Sequence, residues 1–133
     1  MPPMADPADQ TRGAQHLCAS GDLAERSLAV GFDVRLHGEA VRAFALRIDG
    51  RVVAYVNRCA HVAAEMDWQP NHFLDGEGRL IVCAIHGAEY DPRDGRCAGG
   101  PCGRARLVPV DVGEEGGEVY WYPSRAVRPI DFG

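Results

Sequence analysis

The chain has 133 residues, 46% of them hydrophobic and 25% charged, with a net charge of −5. That length suits one domain, and the composition excludes wholesale disorder. All 14 basic residues are arginine, and the acidic excess over them disfavours nucleic acid and anionic membranes as partners. No apolar run approaches the roughly 18 residues of a membrane span. No basic start with an apolar run behind it marks a secretory signal, so a cytoplasmic location is expected.

Gly 16 and Pro 9 are a surplus of turn formers and favour short strands over a helix bundle. Residues 1–15 carry three prolines and no apolar period, which predicts a flexible N-terminal tail ahead of a domain over 16–124. Ser27–Leu36 reads as a strand. Val41–Ile48 reads as a second, with Phe44, Leu46 and Ile48 on one face at period two. Asp49-Gly50 signals a two-residue hairpin, and Arg51–Asn57 is the return strand. A single helical turn fits Val62–Met66. Leu80–Val82 is a short buried strand. Leu107–Val112 and Glu118–Tyr122 read as a closing pair around a turn at Gly113–Gly117, with a C-terminal tail over 125–133. The sum is an antiparallel all-β domain.

Five cysteines stand at 18, 59, 83, 97 and 102. The odd number and the absence of an export signal argue against a disulfide framework. Cys18 reads as a core thiol. His16, His37 and His72 have no partner at ligand spacing and read as surface residues. Cys59-Ala60-His61 and Cys83-Ala84-Ile85-His86 are different. Each follows an apolar strand, and 21 residues separate them. Two such loops side by side present two thiolates and two imidazoles to one point, a donor set that suits zinc or an iron–sulfur centre. Zinc fingers place their cysteines before their histidines. Here the order alternates, as it would if each loop gave one ligand to each of two metals.

The pattern C-x-H followed by C-x-x-H, with Gly87-Ala88-Glu89-Tyr90-Asp91 after it, resembles the Rieske-type [2Fe–2S] domain over about residues 17–122. The resemblance implies a Rieske-like antiparallel β-sandwich with a small cluster-binding subdomain made of two loops. It implies one [2Fe–2S] cluster, with Cys59 and Cys83 on the inner iron and His61 and His86 on the outer one. Gly87 would leave room beside the cluster and allow a positive φ. Tyr90 would either donate to a cluster sulfur or pack as a half-buried aromatic. The gap between the motifs is longer than in most soluble members, which enlarges the stretch from Met66 to Gly78.

Two ferric irons, two sulfides and two thiolates sum to a neutral oxidised centre. An electron enters it more readily than it enters an already anionic four-thiolate cluster. Rieske centres accordingly span about −150 to +300 mV. High-potential relatives have a serine where this chain has Ala88, and a disulfide between positions that match Ala64 and Ile85. Both departures point to the soluble, ferredoxin-like branch and a potential of roughly −150 to 0 mV. The Gly-Gly-Pro stretch between Cys97 and Cys102 reads as a loop over the cluster with both thiols free.

No second histidine stands near His72 to build a mononuclear iron site, and the sequence continues for too few residues after Asp94 to add a catalytic domain. The resemblance therefore implies an electron carrier rather than an enzyme. It would relay electrons from a flavin- or nicotinamide-dependent reductase to a terminal oxygenase or other oxidoreductase. Seven acids and two arginines lie between Cys59 and Asp94, so the entire net charge sits there. Asp67, Asp75, Glu77 and Glu89 are the expected docking carboxylates. Two alternatives stay open: a small subunit fixed to a larger oxidoreductase through an apolar patch (Trp68, Phe73, Trp121, Tyr122), and a structural zinc module.

Overall fold

The structure, a computed structural model, describes residues 13–58, 65–67, 69, 71–83 and 87–130. Strand β1 is Gln15–Ala19, and a 3-10 turn at Ser20–Asp22 follows it. Next come β2 (Val30–Leu36), β3 (Glu39–Ile48) and β4 (Arg51–Val56). Three short strands follow: β5 (Ile81–Val82), β6 (Glu89–Tyr90) and β7 (Cys97–Gly99), the last running into a 3-10 turn at Gly100–Cys102. The chain then makes β8 (Asp111–Glu115), β9 (Glu118–Tyr122) and β10 (Val127–Arg128). They form three antiparallel sheets, in the orders β1-β9-β8, β10-β2-β3-β4 and β5-β6-β7. The all-β antiparallel expectation holds. No helix among the described residues is long and apolar enough to cross a membrane.

The central sheet is buried on both faces because the strand period sends alternate side chains opposite ways. From β3, Phe44, Leu46 and Ile48 enter one core cluster and Ala43 and Ala45 the other; in β4, Tyr55 is set against Ala54 and Val56 in the same way. The alanine-lined face meets Cys18 of β1 and Val119 and Trp121 of β9. The larger side chains meet Met66, Phe73, Ile81, Cys83, Tyr90 and Leu107. The Phe44 and Phe73 rings stack with centroids 3.8 Å apart. The small sheet therefore rests on a broad aromatic and aliphatic floor.

The Asp49-Gly50 hairpin forms as expected. Both residues have positive φ, 55° and 80°, and Ile48 pairs with Arg51. Elsewhere the boundaries move. β2 begins at Val30 rather than Ser27: Ala29 N–H bonds to Asn71 O, and Arg26 N–H reaches Arg47 O of β3 beside an isolated parallel bridge between Glu25 and Arg47, outside the antiparallel β2–β3 register. The run Leu107–Val112 is not one strand. Residues 108–110 pair with β4 through Val56 N–H to Val108 O and Val110 N–H to Ala54 O, both 2.9 Å. The chain then crosses to pair with β9. Gly113 lies within β8, where the Tyr122 hydroxyl covers it at 3.1 Å from where a Cβ would be. Gly116 and Gly117, with φ of 61° and 81°, make the turn. β10 falls in the stretch read as a C-terminal tail: Val127 is buried and pairs with Leu36. Residues 62–64 of the expected helical turn lie outside the described residues.

Candidate metal centre

Two of the elements that flank the paired motifs are fixed by hydrogen bonds that the sequence did not reveal. The first is the end of β4. Asn57 is a buried polar residue, 6% exposed. Its backbone N–H donates to Arg42 O at 2.8 Å. Its side-chain oxygen accepts from Met66 N–H at 2.8 Å, and its side-chain NH2 donates to Asp67 Oδ1 at 2.8 Å. The other Asp67 oxygen accepts from Asn71 N–H at 3.0 Å, and Asn71 O accepts from Ala29 N–H at 3.0 Å. Residue 57 is thereby tied to residues 66 and 67, on the two sides of the segment that carries Cys59 and His61. The available signal was a lone amide closing the apolar run VVAYV. A polar side chain at such a position is buried only if its hydrogen bonds are met.

The second is the small sheet. β5 is held on one side by Val82 N–H to Phe73 O (2.8 Å) and Asp75 N–H to Leu80 O (2.9 Å), and on the other by β6. At its end Cys83 is fully buried. Cys83 N–H donates to Ala88 O and Gly87 N–H donates to Cys83 O, both 2.8 Å, tying Cys83 to the two residues that follow the motif. Gly87 has φ +76°, a backbone state that favours glycine, and is exposed with open space where a Cβ would stand. Ala88 and Tyr90 are buried, Tyr90 within the cluster that includes Ile81 and Phe73. Cys59, His61 and His86 lie outside the described residues.

What is described of the second turn fits an iron–sulfur group. A sulfur donor faces the protein interior at Cys83, and the chain reaches solvent four residues later at Gly87. That polarity suits a cluster with thiolate on the protected side and imidazole on the wet side.

The structure corrects several expectations around this turn. Cys97 and Cys102, expected as free thiols, are joined in a disulfide with Cα atoms 5.7 Å apart. The 3-10 turn between them brings the two ends together, which spacing alone did not show. Cys18 is a buried thiol, as expected, and burial pushes its pKa up. His16 is exposed and lies 2.7 Å from Glu118; His37 and His72 are exposed. The apolar patch anticipated for a fixed subunit is not a patch. Phe73 and Trp121 are in the core, at 2% and 4% exposure, Tyr122 is half-buried, and Trp68 lies outside the described residues.

Three of the four carboxylates expected for docking have local partners. Asp67 serves the Asn57 clamp. Asp75 accepts from the N–H groups of Glu77 and Arg79, bonds that hold its pKa below the usual carboxylate value, Arg79 N–H foremost. Glu77 pairs with Arg79. Glu89 lies along Gly99, with Oε1 2.6 Å from where a Cβ would be.

The model of the family described as the Rieske [2Fe-2S] domain matches residues 13–119. No curated protein matches the chain. Among solved structures, the ferredoxin of carbazole 1,9a-dioxygenase from Nocardioides aromaticivorans IC177 superposes with a TM-score of 0.65 at 23% identity, over 84% of this chain and 98% of that one. A chain in the complex of reduced oxygenase and oxidized ferredoxin of carbazole 1,9a-dioxygenase gives 0.62 at 24%, over 83% and 93%. The terminal oxygenase of the Nocardioides system gives 0.64 at 21%, over 89% of this chain but 32% of its own. These likenesses establish the same fold, and with the family match over most of the sequence the chain belongs to the Rieske [2Fe–2S] domain family, whose members hold one [2Fe–2S] cluster.

Proposed function

We propose that this protein is a one-electron carrier. It takes electrons from a flavin- or nicotinamide-dependent reductase and passes them to a terminal oxygenase or other oxidoreductase, in the cytoplasm. Cys59 and Cys83 hold the inner iron of the cluster, and His61 and His86 the outer one. The observation that carries the reading is the second turn: a fully buried Cys83 closed by backbone bonds to Gly87 and Ala88. The similarity spans 98% of the chain of a ferredoxin, which supports the carrier reading.

When bound, the cluster supplies one-electron redox chemistry in a range of about −150 to +300 mV. The protein's own residues set the rest. The Asn57 clamp ties residue 57 to residues 66 and 67 on the two sides of the first motif, and backbone bonds tie Cys83 to Gly87 and Ala88 at the second. Ala88 offers no hydroxyl where a serine would stabilise added negative charge on sulfur, which keeps the potential in the lower part of the range. Tyr90, directly after Glu89 in β6, is the candidate donor toward the cluster, and Gly87 leaves the outer side open.

Protein prepared without air should be red-brown, contain iron and no stoichiometric zinc, and give an EPR signal on reduction. Cys83→Ser should lose iron while keeping its β-sheet circular dichroism. A colourless, zinc-containing protein would overturn the reading, and a potential above about +200 mV would overturn the branch assignment.

A further inference from the structure

β7 and the 3-10 turn after it pack against residues 87–90, which follow the second motif in sequence. In the register β6–β7, Glu89 faces Gly99 and Tyr90 faces Cys97, with an irregularity between them. Gly100, φ +77°, approaches so closely that a Cβ there would stand 2.5 Å from Gly87 O and 3.0 Å from Ala88 Cα. Loop backbone thus presses on the two residues that follow His86 in sequence. The disulfide between Cys97 and Cys102 closes this loop at its base.

The surroundings of the two sulfurs suit the reduced state as well. Gly99 O lies 3.5 Å from Cys97 Sγ and 3.2 Å from Cys102 Sγ, and Glu89 O lies 3.6 Å from Cys102 Sγ. A thiol formed at either position finds a carbonyl to receive its S–H, so opening the bond strands no buried donor. Cys102 is 6% exposed, whereas Cys97 is half-buried and open to an attacking thiol. A permanent disulfide also sits badly with a reducing cytoplasm, where such bonds are transient or regulatory.

We propose that Cys97 and Cys102 are a thiol–disulfide exchange site whose substrate is a dithiol, and that the bond latches loop 97–102 onto Gly87–Ala88. The inference rests on the assignment of Cys83 and His86 to the cluster. A thiolate of the dithiol attacks Cys97 Sγ and forms a mixed disulfide as the bond to Cys102 breaks. Cys102 leaves as a thiolate and takes up a proton. The second thiol of the reductant then displaces Cys97, which is protonated in turn. Two electrons and two protons pass to the pair, and the dithiol departs as a disulfide. The closed latch holds the second turn and slows loss of the cluster; the opened latch frees it.

The test uses the full-length holoprotein, with dithiothreitol as the dithiol. Alkylation of the unfolded protein should leave Cys97 and Cys102 unmodified after air equilibration and modify both after dithiothreitol. Amide hydrogen exchange over residues 87–91, read by mass spectrometry, should quicken about fivefold on reduction, as should cluster bleaching by an iron chelator. A Cys97→Ser/Cys102→Ser variant keeps donors for Gly99 O and should show the fast rates with or without dithiothreitol. Both cysteines alkylated in air-equilibrated protein would overturn the proposal. So would exchange and bleaching rates that agree within about twofold between the two forms. An iron-free preparation would sink the cluster assignment alone, and hydrogen exchange over 87–91 would still decide the latch.

Discussion

Replacing Asn57 with alanine isolates the contribution of the clamp at the end of β4. The substitution removes the acceptor of Met66 N–H, a buried group that no longer reaches water, at a cost of ~1–3 kcal/mol. It also removes the donor to Asp67 Oδ1, a bond to a charged group, although that carboxylate keeps its bond from Asn71 N–H. Together these give a loss of about 2–4 kcal/mol, at the upper end for a single substitution. For a domain of this size that is a fall in Tm of ~10 °C. Thermal unfolding followed by circular dichroism, with iron content measured in parallel, checks it. Because the clamp spans the segment with Cys59 and His61, iron retention should fall further than Tm alone accounts for. Asn57→Asp adds a control with a sign. It keeps an acceptor for Met66 N–H but sets a second carboxylate against Asp67, so it should be less stable than the parent in neutral buffer while still binding Met66 N–H. An alanine variant that melts within about 2 °C of the parent would refute the reasoning.

Gly100→Ala puts a Cβ against backbone rather than a movable side chain, at a positive φ. A loss of about 1–3 kcal/mol and poorer iron incorporation are expected, read by unfolding and by the ratio of visible to ultraviolet absorbance. Phe73→Ala empties the stack on Phe44 beneath the small sheet and should cost ~3–5 kcal/mol in urea unfolding. Asp75, Asp91 and Glu114 all have folded pKa values below their ordinary 3.8, 3.8 and 4.5. The main causes are Arg79 N–H for Asp75, the Arg93 guanidinium for Asp91 and the Arg47 guanidinium for Glu114. Depressed acids stabilise above their unfolded values, so stability should be flat above about pH 5 and fall as pH drops through about 4 and lower. Arg47→Met should weaken that acid dependence in pH-dependent unfolding, since Glu114 loses both of its bonds from Arg47, at 3.0 and 2.7 Å.

The strands were legible where two cues agreed. For β3 and β4, a period-two apolar pattern met a hairpin dipeptide, and both ends were set by the turn. Where only an apolar run was available, as at Leu107–Val112, the strand was misplaced. The run changes partner midway, from β4 to β9, and a one-dimensional pattern does not carry partner identity. The motif cysteines and histidines stood out because their chemistry is rare and their spacing short. Asn57 and the Cys97–Cys102 pairing did not stand out. Their meaning lies in contacts between residues brought together by turns, such as Asn57 with Met66. The acidic cluster was visible as charge, but its local bonds were not: Asp67, Asp75 and Asp91 accept from neighbouring N–H groups, and Glu77 pairs with Arg79.

β3 sits between the two hydrophobic cores as a party wall. Its even-numbered positions 44, 46 and 48 belong to one room and its odd-numbered positions 43 and 45 to the other. Neither room can be redecorated without regard to this strand, since a one-residue slip would push phenylalanine and leucine into space sized for alanine. Substitutions along β3 should therefore fall into two alternating sensitivity classes, and damage on either side of the wall should be felt at the metal-binding end through Phe44.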